Sequence, residues 1–114
     1  PDEICKTILL RGERGFYAAL TLGWRRISLS RVRRLIGEKV RLATLDELER
    51  LGLKPGAICP LTVKVPLIVD EEVLSKQKIN FSSGLEDYGL EMSPQSLPKL
   101  AAPTYVRASI SEQK

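Results

Sequence analysis

The hydrophobic positions of this chain change period several times, and each change marks an element. Ile4 to Leu10 is an apolar run broken by Lys6, and Phe16 to Leu22 is a second one, closed by Gly23. The charged, glycine-bearing stretch Arg11 to Gly15 between them predicts an antiparallel hairpin. Leu29, Val32, Leu35 and Ile36 then follow helical spacing, which predicts a helix capped by Ser28 or Ser30 and stopped by Gly37. Lys39 to Ala43 is a short strand. Thr44 and Glu47 make a capping box for a second helix through Leu51, ended by Gly52. Thr62 to Val69 is strand-like, with Pro66 at an edge, a start or a bulge, and Asp70 caps a turn over 71–74. Lys78 to Phe81 and Leu90 to Met92 are strands on either side of Ser82-Ser83-Gly84 and a polar turn over 85–89. Ser93-Pro94 starts a third helix to about Leu100, with serine as cap and proline in the first turn. Ala102-Pro103 breaks that helix, Tyr105 to Ile110 is a last strand, and 111–114 is a frayed tail. The expected fold is α/β: a mixed, largely antiparallel central sheet of six or seven strands with interspersed helices, in one domain over 1–114.

Between the second helix and the strand that follows lies Pro55-Gly56-Ala57-Ile58-Cys59-Pro60-Leu61. Two prolines fix φ and a glycine frees it, so this is a shaped loop and a candidate ligand site. Charge is divided around it. Residues 1–41 hold ten Lys/Arg against four Asp/Glu, and residues 42–114 hold eight against ten, for a net charge of +4. The basic first part favours an anionic partner. Within it, Arg31, Arg33 and Arg34 form either a solvated helix face or a phosphate-contacting one. Lys6 is either a solvated strand residue or a pocket lysine that meets an anion or a carbonyl. Trp24 is a core ring, a partner anchor or a base platform.

Composition removes several chemistries. The chain has no histidine, which excludes a His/Cys zinc site, a Ser-His-Asp triad and a Cys-His dyad within it. Cys5 and Cys59 form no CxxC pair, and Cys59 is either an unassisted nucleophile or an inert thiol. Cys5 alternates with Lys6 and points to the opposite face of its strand. Asp70-Glu71-Glu72 are consecutive acids suited to a helix start, not to one ion, and no GxGxxG or GKS/T loop is present. Neither a cofactor nor a metal is expected. One Trp, three Tyr and two Phe are too few for a row of base-stacking rings. No run approaches 18 apolar residues and no signal peptide opens the chain, so a cytoplasmic location with no membrane partner is expected. The first residue is not Met and an apolar run begins at Ile4, so a piece of a longer polypeptide is expected.

Several segments in order carry a family likeness: Cys5-Lys6-Thr7-Ile8-Leu9, Leu45-Asp46-Glu47-Leu48, Pro55 through Leu61, Leu67-Ile68-Val69-Asp70, Ile79-Asn80-Phe81-Ser82-Ser83-Gly84 and Leu90-Glu91-Met92-Ser93-Pro94 with Leu97. Over roughly residues 4–100 the chain resembles the YbaK/ProX family. These are aminoacyl-tRNA deacylases, also found as the editing insertion of bacterial-type prolyl-tRNA synthetases. The resemblance implies hydrolysis of the ester of mischarged tRNA, Ala- or Cys-tRNA of the proline type, by fixing substrate and water with the substrate's own ribose hydroxyl assisting. It implies that Lys6 lies in the active pocket and that backbone groups of Gly56 and Ala57 stabilise the oxyanion. Ile58, Cys59, Pro60, Ser83 and Gly84 would wall the pocket, and Arg25, Arg26, Arg31, Arg33 and Arg34 would contact the tRNA backbone. The implied partners are the acceptor end of a charged tRNA and an aminoacyl-tRNA synthetase. There are departures: Cys59 stands where many relatives have Ser, and Ala57 where some have a second Gly. Leu85-Glu86-Asp87 carries no base after Ser83-Gly84, and relatives usually have a few dozen residues before the Lys-Thr strand, so an N-terminally incomplete domain is expected. The alternative expectation is a non-catalytic tRNA-acceptor or synthetase-associated binding module. A third is a structural domain of a larger protein whose basic part is plain surface.

Overall fold

The computed structural model describes residues 3–85, 88–100 and 105–113. Its framework begins with the expected hairpin: β1 (Cys5–Gly12) pairs antiparallel with β2 (Phe16–Leu22), from Cys5 opposite Leu22 to Arg11 opposite Phe16. The Gly12 amide closes the turn on the Gly15 carbonyl at 2.7 Å. Two further short strands follow, β3 (Arg25–Ile27) and β4 (Val40–Leu42); β4 covers the outer edge of β1 over Leu10–Gly12 only. On the other side β2 runs parallel to β5 (Leu67–Asp70). Beyond β6 (Ile79–Ser82) and β7 (Gly89–Met92), β8 (Tyr105–Ala108) runs parallel to β5. The central sheet is therefore five-stranded in the order β4-β1-β2-β5-β8.

This corrects the expected six or seven largely antiparallel strands. Two of the four ladders in the central sheet are parallel, because long crossovers carry the chain from β2 to β5 and from β5 to β8. The remaining strands form two separate two-stranded ladders, β6 with β7 and β3 with β9 (Ser111–Gln113). Residues 111–113 are thus a paired strand and not a frayed tail. The strand expected over 62–69 is confined to Leu67–Asp70, since the Cys59 carbonyl accepts from the Thr62 and Val63 amides and folds that stretch into a turn. The break expected at Ala102-Pro103 lies outside the described residues.

The helices start where their side chains cap them. In α1 (Leu29–Ile36) Ser28 accepts from the Arg31 amide, and Gly37 at φ +76° closes on the Arg33 carbonyl. In α2 (Leu45–Arg50) Thr44 and Glu47 form the reciprocal capping box. Asp70 caps α3 (Glu71–Leu74). The third expected helix is a 3-10 turn, Pro94–Ser96, leading into α4 (Leu97–Leu100); the Ser93 hydroxyl bonds the Gln95 side chain instead of capping the backbone.

Strand alternation splits the core into two faces. On the first, Cys5, Leu9, Ala18, Leu20, Leu22, Leu67 and Val69 pack against Ile58, Cys59, Val63, Ile79, Phe81 and Leu97. On the second, Leu10, Ala19 and Ile68 pack against Val32 and Ile110. Each fully buried aliphatic side chain contributes about 1.5–3 kcal/mol. The consequence for function is positional: the 55–61 loop is seated on the first face, and α1 with its arginines on the second.

Candidate active site

The loop is built from its own sequence. Pro55 supplies the fixed φ of a turn's second residue, and Gly56, at φ +76°, the left-handed third. The Ala57 amide donates to the Lys54 carbonyl at 3.0 Å, completing a type II turn. Lys54 to Gly56 are exposed, whereas Ala57 through Pro60 are buried and plug the loop into the first face. Beneath this tip is a cavity of about 380 Å³. Its walls are the start of β1 (Ile4 to Thr7), Gly56 and Ile58 of the loop, Asn80 to Ser82 of β6, and Tyr88-Gly89 of the next strand's approach. A single parallel bridge brings β6 to β1: Ile4 lies opposite Asn80, and the Asn80 amide donates to the Glu3 carbonyl at 3.0 Å.

Lys6, Gly56 and Ile58, separated by fifty residues in sequence, therefore meet at one cavity. The other expected wall residues stand behind it. Cys59 and Pro60 are buried under the loop. Gly84 lies against Cys59, since a Cβ placed on it would come 3.7 Å from the Cys59 Cβ. Ser83 braces the β6–β7 turn by donating from its amide and hydroxyl to the Tyr88 carbonyl at 3.1 and 2.9 Å. The Ala57 amide is engaged inside the turn, so it is not placed to receive a ligand oxygen. The loop residues that line the cavity are Gly56 and Ile58.

Strand alternation separates the side chains of Lys6 and Thr7. Lys6 lies opposite Thr21, whose hydroxyl donates to buried Asp70 at 2.6 Å on the second face. From that side the Lys6 ammonium donates to the Arg25 carbonyl at 2.6 Å. Thr7 shares the first face with Cys5 and Leu9, and so its side chain leaves β1 toward the loop. Cys5 itself is not a nucleophile: burial, with the Asp70 charge adding to it, pushes its thiol up to about 12. Thr7, Asn80, Phe81 and Tyr88 are cavity residues that sequence reasoning did not select. The alternation that set Cys5 opposite Lys6 carried the signal for Thr7.

The five arginines divide into two groups. Arg25 is fastened: its Nε donates to the Ser111 hydroxyl at 2.6 Å, one terminal nitrogen to the Ser111 carbonyl at 3.2 Å, and the other lies 3.8 Å from Glu72. Its guanidinium also sits 5.3 Å from the exposed Trp24 ring. Arg31 donates to the Ser111 carbonyl at 2.8 Å and the Ser109 hydroxyl at 3.2 Å. These two stitch β3 and α1 to β9. Arg26, Arg33 and Arg34 are exposed. Among the described residues no group of three or more Cys, Asp or Glu side chains is placed to hold a metal ion, and no helix is long and apolar enough to cross a membrane.

Comparison with known proteins bears on this arrangement. The sequence model described as "Aminoacyl-tRNA editing domain" matches residues 1–100. Among solved structures, hypothetical protein APE2540 is 32% identical with a TM-score of 0.88, the match covering 97% of this chain and 75% of that one. A candidate trans-editing enzyme for prolyl-tRNA synthetase is 28% identical with a TM-score of 0.85, covering 97% and 71%. A scaffold used for computational epitope grafting is 25% identical with a TM-score of 0.86, covering 97% and 72%. A search of curated protein sequences finds no match. A family match over most of the chain, together with a shared fold of mixed sheet and few helices, leads to one conclusion: the chain belongs to the YbaK-type aminoacyl-tRNA editing domain family.

Proposed function

We propose that this protein hydrolyses the ester of mischarged aminoacyl-tRNA, with Ala- or Cys-tRNA of the proline type as substrate, in the cytoplasm and alongside a prolyl-tRNA synthetase. The observation that carries the reading is the convergence of Lys6, Gly56 and Ile58 on one cavity whose size suits a small aminoacyl group and a ribose. In this mechanism the ester carbonyl lies under the loop, and the Gly56 and Ile58 amides take the oxyanion in place of Ala57, whose amide holds the turn. Water adds to the carbonyl carbon, oriented by the neighbouring ribose hydroxyl. The C–O bond to the ribose then breaks, its oxygen takes a proton, and free amino acid leaves. Lys6, anchored on the Arg25 carbonyl, offers its ammonium to the acceptor-end phosphate, and Arg26, Arg33 and Arg34 extend that basic surface. Selection is by size against Ile58 and Phe81, where one methylene discriminates by about 1–3 kcal/mol.

The test is release of amino acid from Ala-, Cys- and Ser-charged tRNA, with Lys6→Ala as control. Turnover that falls at least tenfold in the variant supports the reading, and no turnover on any charged tRNA refutes it. The engaged Ala57 amide favours one second reading, a tRNA-acceptor binding module without catalysis. Salt-sensitive tRNA binding with no ester cleavage would select it.

A further inference from the structure

Thr7 Oγ1 is, among the described residues, the one buried side-chain oxygen or nitrogen without a hydrogen-bond partner. Such an atom is rare in a native fold, because it loses water and gains nothing in exchange. Thr7 also lines the cavity, on the face that carries the loop. One turn about χ1 exchanges its hydroxyl with its methyl, so the oxygen can reach the cavity surface while β1 stays in place.

The chemistry of the cavity indicates what that oxygen is for. An aminoacyl ester brings an α-ammonium group, which can only donate and needs acceptors. Among the described residues no Asp or Glu lines the cavity, and backbone amides of Gly56 and Ile58 are donors that repel a cation. The Ser82 hydroxyl has one of its two acceptor sites committed to the Gly84 amide at 3.0 Å. Asn80 alternates with buried Ile79 and Phe81 and so leaves β6 away from the core face. We infer that the Thr7 hydroxyl receives the α-ammonium of the substrate, and that this contact sets the aminoacyl group in register with the Gly56 and Ile58 amides. The inference rests on the deacylase reading above and assigns a residue within it.

The experiment pairs a side-chain deletion with a substrate deletion. Wild type, Thr7→Val and Thr7→Ser are compared on one tRNA esterified with alanine or with propionic acid, which is alanine without its amino group. Thr7→Val should lower kcat/KM for the alanyl ester roughly 10- to 100-fold, the size of a hydrogen bond to a charged group. It should leave the propionyl ester within about twofold, and Thr7→Ser should retain most activity. The melting temperature of Thr7→Val should equal or exceed that of wild type, because the variant removes an orphan and keeps the shape. Equal slowing of both esters, slowing of neither, or a melting temperature several degrees lower would overturn the assignment. If wild type hydrolyses neither ester, the deacylase reading fails by itself. The assignment is then decided by 3′-alanylamino-3′-deoxyadenosine, a non-hydrolysable analogue, which should raise the melting temperature of wild type more than that of Thr7→Val; equal shifts refute it.

Discussion

Substituting Gly56→Ala isolates the backbone conformation of the loop tip from its packing. Gly56 has φ +76°, and a Cβ built on it meets nothing within 4 Å. The steric term is therefore absent, and the cost is that of holding an L-residue in the left-handed region, about 1–2 kcal/mol. For a domain of this size that corresponds to a fall in melting temperature of roughly 3–8 °C. A turn that relaxes to escape the strain must move the Gly56 and Ile58 amides. Since loss of one oxyanion donor typically costs about 10²–10³ in rate, deacylation should fall further than stability alone explains. Gly56→Asn provides the control, because asparagine tolerates the left-handed region better than alanine. It should recover a substantial part of both losses. Thermal unfolding and single-turnover deacylation read the two quantities separately. An alanine variant as stable and active as wild type, or an asparagine variant as damaged as alanine, would refute the assignment of the turn.

Three further outcomes are expected. Asp70→Ala leaves the Thr21 and Ser111 hydroxyls without their acceptor and α3 without its cap, and should cost about 3 kcal/mol in chemical denaturation. Glu38 accepts from the Arg14 amide and guanidinium and from the Tyr17 hydroxyl, which hold its carboxyl at about 2 against an ordinary 4.5; Arg41 and the Thr44 amide do the same for Glu47. A depressed carboxyl stabilises the fold above its unfolded value, so stability should hold above about pH 4.5 and decline as pH falls toward 2, and Glu38→Gln should show a shallower decline. Removing Arg26, Arg33 and Arg34 together should lower the salt slope of tRNA binding, whereas Arg25→Ala should lower the melting temperature and leave the slope unchanged.

What could be read from the chain in advance follows the range of the interactions. α1 and α2 were legible to within a residue because Ser28, Gly37 and the Thr44–Glu47 box act over one turn. The β1–β2 hairpin was legible because its partners are neighbours in sequence. The β3–β9 ladder was not: each strand is three residues long, too short for a period, and Arg25 lies 86 residues from Ser111. Parallel pairing of β5 with β2 and β8 is likewise a property of the crossovers, not of the apolar run Leu67–Val69. At the candidate site, sequence reading singled out the loop and Lys6, and Lys6, Gly56 and Ile58 line one cavity. The engagement of the Ala57 amide and the division of labour between Lys6 and Thr7 depend on hydrogen bonds that no spacing encodes.

The stitch between Asp70 and Ser111 also bears on when the fold can form. Asp70 lies in β5, a strand bordered by β2 on one side and β8 on the other, and Ser111 is synthesised 41 residues later. Until that serine arrives, the partners left to the Asp70 side chain among the described residues are the Thr21 hydroxyl and its own helix cap. The sheet that frames the cavity therefore closes only after residue 111 has been made, and its contacts of long sequence separation should slow refolding.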